Sequence, residues 1–476
     1  MGFFLPARGS HDARGEGMQP PFDIAADLDT PVSAYLKLAP FRPRFLLESV
    51  EGGERLARYS FIGFGDALEL VLDGDGVYVD GSKIAQPGDK DELLGALRAA
   101  LAGSPRLEPA LPGIPFTGGL VGAAGYDLVR RFETLAPAKS TGVPTAAWLA
   151  PASLLIFDHL TRRVALLHAG SETDRRHLRS EIMRALRGAL PAPQAGMGFE
   201  PPRASLDRQA FTAAVRRCKE DIAAGDVYQL VLSVRFAGAC ATDPFEAYRA
   251  LRLINPSPYM YFLELGPHSI VGSSPEALVR LSQGQAMLRP IAGTRPRGAD
   301  LPGDSRLEAE LLADAKEAAE HVMLVDLARN DLGRVAEPGT VRVDPYRAVE
   351  RYSHVMHLVS GVSGRLAPGR DAFDLFAAAF PAGTLVGAPK VRAMQLIDEY
   401  ESLGRGFYAG SVGYFGAGGD MDQAIAIRTL VFDGSGYSYQ AGAGIVADSV
   451  PASEHAEVLA KGAVLQRALE LAEVGL

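Results

Sequence analysis

Two pairs of carboxylates stand three residues apart in this sequence: Glu317 and Glu320 in KEAAEH, and Glu454 and Glu457 in SEHAE. In a helix that spacing puts both members of a pair on one face. Two such faces turned toward each other would offer hard oxygen donors of the kind that suit Mg²⁺ and its retained waters. Solvated carboxylates opposite an apolar stripe have the same spacing. The pairs alone therefore leave a metal site and an exposed helix face both open. The segment LRPIAGTRPRG, residues 288–298, places Arg289, Arg295 and Arg297 together in a chain of net charge −9. That concentration calls for a small anion or for neighbouring acids.

Four further residues have useful chemistry and an ordinary reading each. His357 and Arg428 sit in apolar, strand-like stretches, where a core histidine and a structurally paired arginine are common. Gln229 in YQLVLS reads as a hydrogen-bonded strand residue, and Glu276 in GSSPEALVRL as a turn residue after Pro275. The glycine strings GAGGD and QAGAGIVAD lack the strand-to-helix register of a dinucleotide fold. They do permit an anion to approach backbone N–H groups. No Ser-His-Asp or Cys-His constellation with a nucleophile context is present.

The elements that must position these groups are legible in outline. FRPRFLLES, RYSFIGF and ALELVLDGDGVYVDG alternate as strands, the last with a hairpin turn. Helices are predicted near 90–102 and 172–188, and over LDRQAFTAAVRRCKEDIAAG with Asp207 as N-cap and Gly225 past its end. DVYQLVLSVRF, YMYFLEL, SIVGSS, ALVRLS and QAMLRPI read as strands. One long helix is expected over about 304–329, its apolar stripe running through Leu307, Leu311, Ala315, Val322 and Val325 with Glu317 and Glu320 opposite. A strand around SHVMHLVSGVSG, a helix beginning near Pro389, a hairpin, the strand YQAGAGIVA and a final helix complete the chain. Strands and long helices mix without a regular βαβ repeat, which predicts α+β.

The 476 residues are 47% hydrophobic and 22% charged, enough for a large core. The acidic balance argues against nucleic acid as a partner. Two cysteines, Cys218 and Cys240, make no disulfide framework and no four-ligand zinc site, which points to the cytoplasm. No apolar run reaches the roughly 18–20 residues of a membrane span. Residues 1–20 read as a flexible N-terminal tail, with Met18 a second candidate start, followed by a region over 21–190. A Pro/Gly/Ala-rich linker at 191–205 leads to a second region, 206–476.

Taken together, GDVYQLVLSVRF, GSSPE, RPIAGTRPRG, KEAAEHVMLVDLARNDLGRV, GTLVGAPKVRAMQLI, GFYAGSVGY, AIAIRTLVF, QAGAGIVADS and EHAEVLAKGAVL resemble, in order, the chorismate-utilising enzymes. The closest likeness is to the large, synthase subunits of anthranilate synthase. The resemblance implies two β-sheets packed face to face with helices outside, an α/β/β/α sandwich. It implies that Glu320 and Glu457 ligate Mg²⁺ with Glu317 and Glu454 in support. Gly293, Thr294, Tyr408, Arg428, Gly442, Ala443, Gly444 and Lys461 would form the chorismate pocket. Glu276 would act as general acid, with His357 assisting loss of pyruvate and Gln229 also in the catalytic group.

Ala292 and Gln229 narrow the activity. Sister enzymes that make 4-amino-4-deoxychorismate resemble this sequence but carry Lys where Ala292 stands. Isochorismate and salicylate synthases carry a Lys base where Gln229 stands, and a glutamine cannot deprotonate water. The implied reaction is therefore chorismate plus ammonia to anthranilate and pyruvate, the first step of tryptophan biosynthesis. The nearest alternatives are a 4-amino-4-deoxychorismate or an aminodeoxyisochorismate synthase, or a non-catalytic chorismate or tryptophan sensor. By the same resemblance the ammonia comes from a separate glutamine amidotransferase small subunit in a heterotetramer. Glu48, Ser49, Pro258, Tyr259 and Met260 would form an allosteric L-tryptophan site.

Overall fold

The computed structural model describes residues 21–49, 58–74, 76–191, 198–298, 300–351 and 355–476. The predicted tail and much of the linker, 192–197, lie outside them. Its frame is a 21-stranded sheet folded back on itself, and all strand pairings among the described residues are antiparallel. The two longest strands, Tyr59–Asp73 and Ala146–Asp158, pair along nearly their whole length and join two arms. One arm runs from Tyr59–Asp73 through Pro43–Glu48, Tyr259–Leu265, His268–Ser274, Thr429–Phe432 and Gly436–Ile445 to Gln229–Ala239. The other runs from Ala146–Asp158 through Gly119–Ala124, Ser411–Gly416 and Met421–Ile425 to Ala277–Ser282.

The arms pack face to face. Phe45, Tyr261 and Leu263 from one meet Val121, Leu149 and Val412 from the other in a shared apolar core. Phe116 is wedged among them, its ring centroid 4.7 Å from Tyr414, 5.5 Å from Phe61 and 6.5 Å from Phe45. Helices cover the outer faces, where alternate strand residues such as Leu46 and Phe262 meet Tyr35, Phe245 and Tyr248. The expected sandwich is present, and its two layers are arms of one continuous sheet. Strands from before and after the linker lie side by side in both arms, so the 21–190 and 206–476 regions share their cores.

Local signals carry most elements. Helices span Lys90–Ala102, Glu172–Leu186 and Arg208–Ala224, the last capped by the Asp207 side chain and stopped at Gly225, whose φ of 88° is a left-handed value. The predicted helix over 304–329 is instead two helices, Leu301–Ala313 and Ala315–Gly333. Asp314 breaks the run with φ −69° and ψ 111°, and its side chain accepts from the amides of Lys316 and Glu317 to start the second helix. The break resets the helical phase. Val322 is 40% exposed, while Leu324, Val325, Ala328 and Leu332 are buried. Glu317 and Glu320 are consequently half-buried rather than on the solvent face expected from the stripe.

Ile291–Pro296 is a strand that pairs with Val355–Val359, which pairs with Ala348–Arg351, in a small separate sheet. No helix among the described residues is long and apolar enough to cross a membrane.

Candidate functional site

Glu276 occupies the turn between His268–Ser274 and Ala277–Ser282. Its carboxylate Oε1 accepts a 3.0 Å hydrogen bond from the Thr384 hydroxyl. Burial pushes its pKa up to about 7, against the opposing pull of that hydrogen bond and of Lys461 and Arg428. A carboxyl in that range is half protonated near neutrality and can donate a proton.

Arg428 lies between Met421–Ile425 and Thr429–Phe432, not within a strand as the sequence suggested. Its φ of 49° is left-handed for a residue with a Cβ, a strain of order 1 kcal/mol that aims the side chain. Its guanidinium is half-buried and makes no ion pair or hydrogen bond with a described residue. Burial lowers its pKa and the charge of Glu276 offsets this in part. A desolvated cation of this kind calls for an anionic ligand.

Lys461, on the helix Pro451–Val474, adds a second cation; its ammonium donates to the Gly442 carbonyl at 3.0 Å and lies 2.7 Å from Glu457.

The strand Gly436–Ile445, which carries that carbonyl, forms a wall of the site, with Gly442, Ala443 and Gly444 paired to Ser233, Leu232 and Val231. A Cβ on Gly442 would stand 2.7 Å from the Tyr408 hydroxyl, and one on Gly444 2.6 Å from the Gln229 amide nitrogen. Side chains at those two positions would displace Tyr408 and Gln229.

His357 faces Thr294 across the small sheet. Its Nδ1 lies 3.1 Å from the Gly293 carbonyl oxygen and 3.0 Å from the Thr294 hydroxyl. A carbonyl only accepts, so Nδ1 carries the hydrogen and Nε2 is the basic nitrogen of the neutral ring. Burial lowers the pKa of His357 and keeps that ring neutral. Gly293 itself has φ +65°, at a bulge where a Cβ would fall 2.9 Å from Leu311.

Of the four predicted metal ligands, Glu317 and Glu457 both lie within electrostatic reach of Glu320. Burial, then the charge of Glu317, then that of Glu457 raise the pKa of Glu320. Carboxylates that oppose one another's ionisation are relieved by a cation between them, so the chemistry of these donors suits a hard divalent ion. Arg295 and Lys461 engage Glu317 and Glu457 respectively. No group of three potential ligands among the described residues is gathered tightly enough to chelate one ion. Glu454 stands one turn before Glu457, half-buried.

The three arginines of residues 288–298 are tied to acids rather than turned to a ligand. Arg289 pairs with Glu350, Arg295 with Asp314 at 2.8 Å, and Arg297 with Asp304.

Sequence reasoning about single side chains passed over Thr384, the donor to Glu276. It lies within the matched string GTLVGAPKVRAMQLI, the one signal that could have found it.

The five residues expected to form a regulatory site also meet. They border a cavity of about 590 Å³ between the arms, together with Arg58 and Asp422. Tyr259 donates to Asp422 at 2.9 Å. Glu48 borders the cavity, yet its carboxylate is held from the helix Pro244–Ile254, by Arg252 at 2.9 Å and by the Tyr248 hydroxyl. This cavity is distinct from the Glu276 site, though Pro275 and Ala277 on its wall flank Glu276.

Residues 42–467 match the family described as chorismate binding enzyme. The chain is 47% identical over 459 residues to anthranilate synthase component 1 of Thermus thermophilus, covering 95% of this chain and 97% of that one. It is 44% identical over 477 residues to the protein of the same name from Pseudomonas aeruginosa, covering 95% of each. The crystal structure of anthranilate synthase component I from Streptococcus pneumoniae superposes with a TM-score of 0.77 at 33% identity, covering 95% of this chain and 100% of that chain.

Proposed function

We infer that this chain, which belongs to the chorismate-binding enzyme family, converts chorismate and ammonia to anthranilate and pyruvate. The observation that carries the reading is the juxtaposition of Glu276, its pKa near 7, with Arg428, whose guanidinium has no ion-pair partner among the described residues. One is suited to protonate a leaving hydroxyl and the other to hold a carboxylate, the two tasks a dianionic substrate with a departing hydroxyl sets. Ala292 supports ammonia as the external nucleophile, because no amine of the protein stands at that position.

In this reading Arg428 and Lys461 bind the enolpyruvyl carboxylate against the Gly442–Gly444 backbone and Tyr408. Ammonia forms a bond to C2 as the C4–O bond breaks, and Glu276 gives its proton to the departing hydroxyl, releasing water. Loss of the C2 proton and cleavage of the enolpyruvyl ether then give the aromatic product and pyruvate, with the neutral His357 assisting. Glu320 and Glu457, supported by Glu317 and Glu454, would hold Mg²⁺. When bound there the ion supplies positive charge that anchors the ring carboxylate.

The component 1 relatives support a separate component 2 as partner. We take it to be a glutamine amidotransferase that supplies ammonia within a heterotetramer. The 590 Å³ cavity is our candidate L-tryptophan site for feedback control. Two unpaired cysteines are consistent with a cytoplasmic enzyme.

The test is an assay of purified chain with chorismate, Mg²⁺ and ammonium chloride, with and without L-tryptophan. Anthranilate fluorescence with equimolar pyruvate, suppressed by tryptophan, is the expected result. An amino product that keeps the enolpyruvyl group would overturn it.

A further inference from the structure

Behind the pocket wall lies a fully buried ion pair that the reaction itself does not use. Arg405 and Glu401 have side chains 1% and 5% exposed. Arg405 makes a two-pronged contact to Glu401, 2.8 Å from Nε and 2.6 Å from Nη2. Its remaining donors go to backbone: Nη1 to the Leu385 carbonyl at 2.8 Å and Nη2 to the Val231 carbonyl at 2.9 Å. Glu401 Oε1 accepts in turn from the Ser233 amide at 2.9 Å and hydroxyl at 2.7 Å. Gln440 donates to the same hydroxyl at 2.7 Å.

Each anchor point adjoins a residue of the candidate site. Val231 and Ser233 are the register partners of Gly444 and Gly442. Leu385 follows Thr384, the hydrogen-bond donor to Glu276. The Arg405 guanidinium lies 5.7 Å from the Tyr408 ring centroid and 4.8 Å from that of Tyr126. The Tyr408 amide also donates to the Arg405 carbonyl at 3.1 Å. A buried pair is weak evidence for stability, since apolar residues of similar volume often serve as well. What apolar residues cannot supply is a rigid fork that fixes two strand positions, a turn and a ring relative to one another.

We propose that Glu401 and Arg405 are positioning residues: together they set the spacing between the Gly442–Gly444 wall, Tyr408 and the Thr384–Glu276 hydrogen bond. The proposal rests on the chorismate reading of the site.

The test compares wild type with E401M/R405M, which replaces the pair by apolar side chains, and with R405K and S233A. Each protein is first shown to melt cooperatively, and chorismate Kd is read by calorimetry alongside kcat, KM and the pH profile. In folded E401M/R405M, KM and Kd for chorismate rise at least tenfold and the alkaline limb of kcat moves. R405K, which keeps the charge without the fork, regains part of the loss. S233A deletes the hydroxyl hydrogen bond to Glu401 while the Ser233 amide and the Arg405–Val231 contact remain, so KM rises severalfold in a protein that still melts cooperatively, and it decides the matter should the double variant not fold. Folded variants with wild-type Kd, KM and pH profile overturn the proposal. A wild type that binds chorismate but forms no anthranilate sinks the functional reading instead, and the Kd comparison still decides the positioning role.

Discussion

Replacing Thr384 by valine probes the acid at the centre of the site. The hydroxyl donates to Glu276 Oε1 at 3.0 Å and so favours the ionised carboxylate. A hydrogen bond to a charged group is worth about 1.5 kcal/mol or somewhat more. Losing it removes that much stabilisation from the charged form only, and at about 1.4 kcal/mol per pH unit the Glu276 pKa rises by about 1. Starting from about 7, the alkaline limb of kcat/KM, which reports the free enzyme, should move toward about 8. The sign follows from the role: a general acid acts while protonated, so activity falls as pH climbs through its pKa, and a raised pKa extends activity to higher pH. Valine matches threonine in shape, and the fold should be retained. The assay is kcat/KM for chorismate in anthranilate formation from pH 5.5 to 9.5, wild type against Thr384→Val, at constant free-ammonia concentration. An alkaline limb that stays put, or moves to lower pH, refutes Glu276 as the proton donor.

Arg428→Met should raise KM for chorismate about 10- to 100-fold through loss of a charge-assisted anchor, with no fall in melting temperature, because an unpaired half-buried charge is removed as well. Steady-state kinetics with differential scanning fluorimetry read both; an unchanged KM removes Arg428 from the pocket. Glu457→Ala should abolish Mg²⁺-dependent turnover and weaken Mg²⁺ binding in calorimetry while the fold survives, since Glu457 is exposed and, among the described residues, its ion pair is with Lys461. Full activity at ordinary Mg²⁺ would dismiss the metal assignment. Ser49→Arg puts a long cation into the 590 Å³ cavity and should relieve L-tryptophan inhibition with little change in uninhibited rate. Inhibition curves that superimpose on wild type place the regulatory site elsewhere.

The sequence by itself determined whatever depends on a few neighbouring residues. Asp207 and Gly225 bound a helix because a cap bonds within one turn and a left-handed stop suits glycine. The i,i+3 spacing of Glu317 and Glu320 put both on one helical face, and the matched strings marked the site as a set.

Tertiary structure decided which face that was. Asp314 satisfies its neighbours' amides better as a cap than as a helical residue, and the phase reset turns the glutamates toward Glu457. It also decided that Arg289, Arg295 and Arg297 meet acids from other elements while the lone Arg428 stays open to a ligand. Above all it turned Glu276 from a turn residue into an acid near neutrality. That change is the sum of lost solvent, Thr384, Lys461 and Arg428, groups 108 to 185 positions away in sequence that only the folded sheet brings to one carboxylate. Caps, turns and periodicity act over a few bonds, whereas burial and charge act through space, and space is assigned by the whole chain.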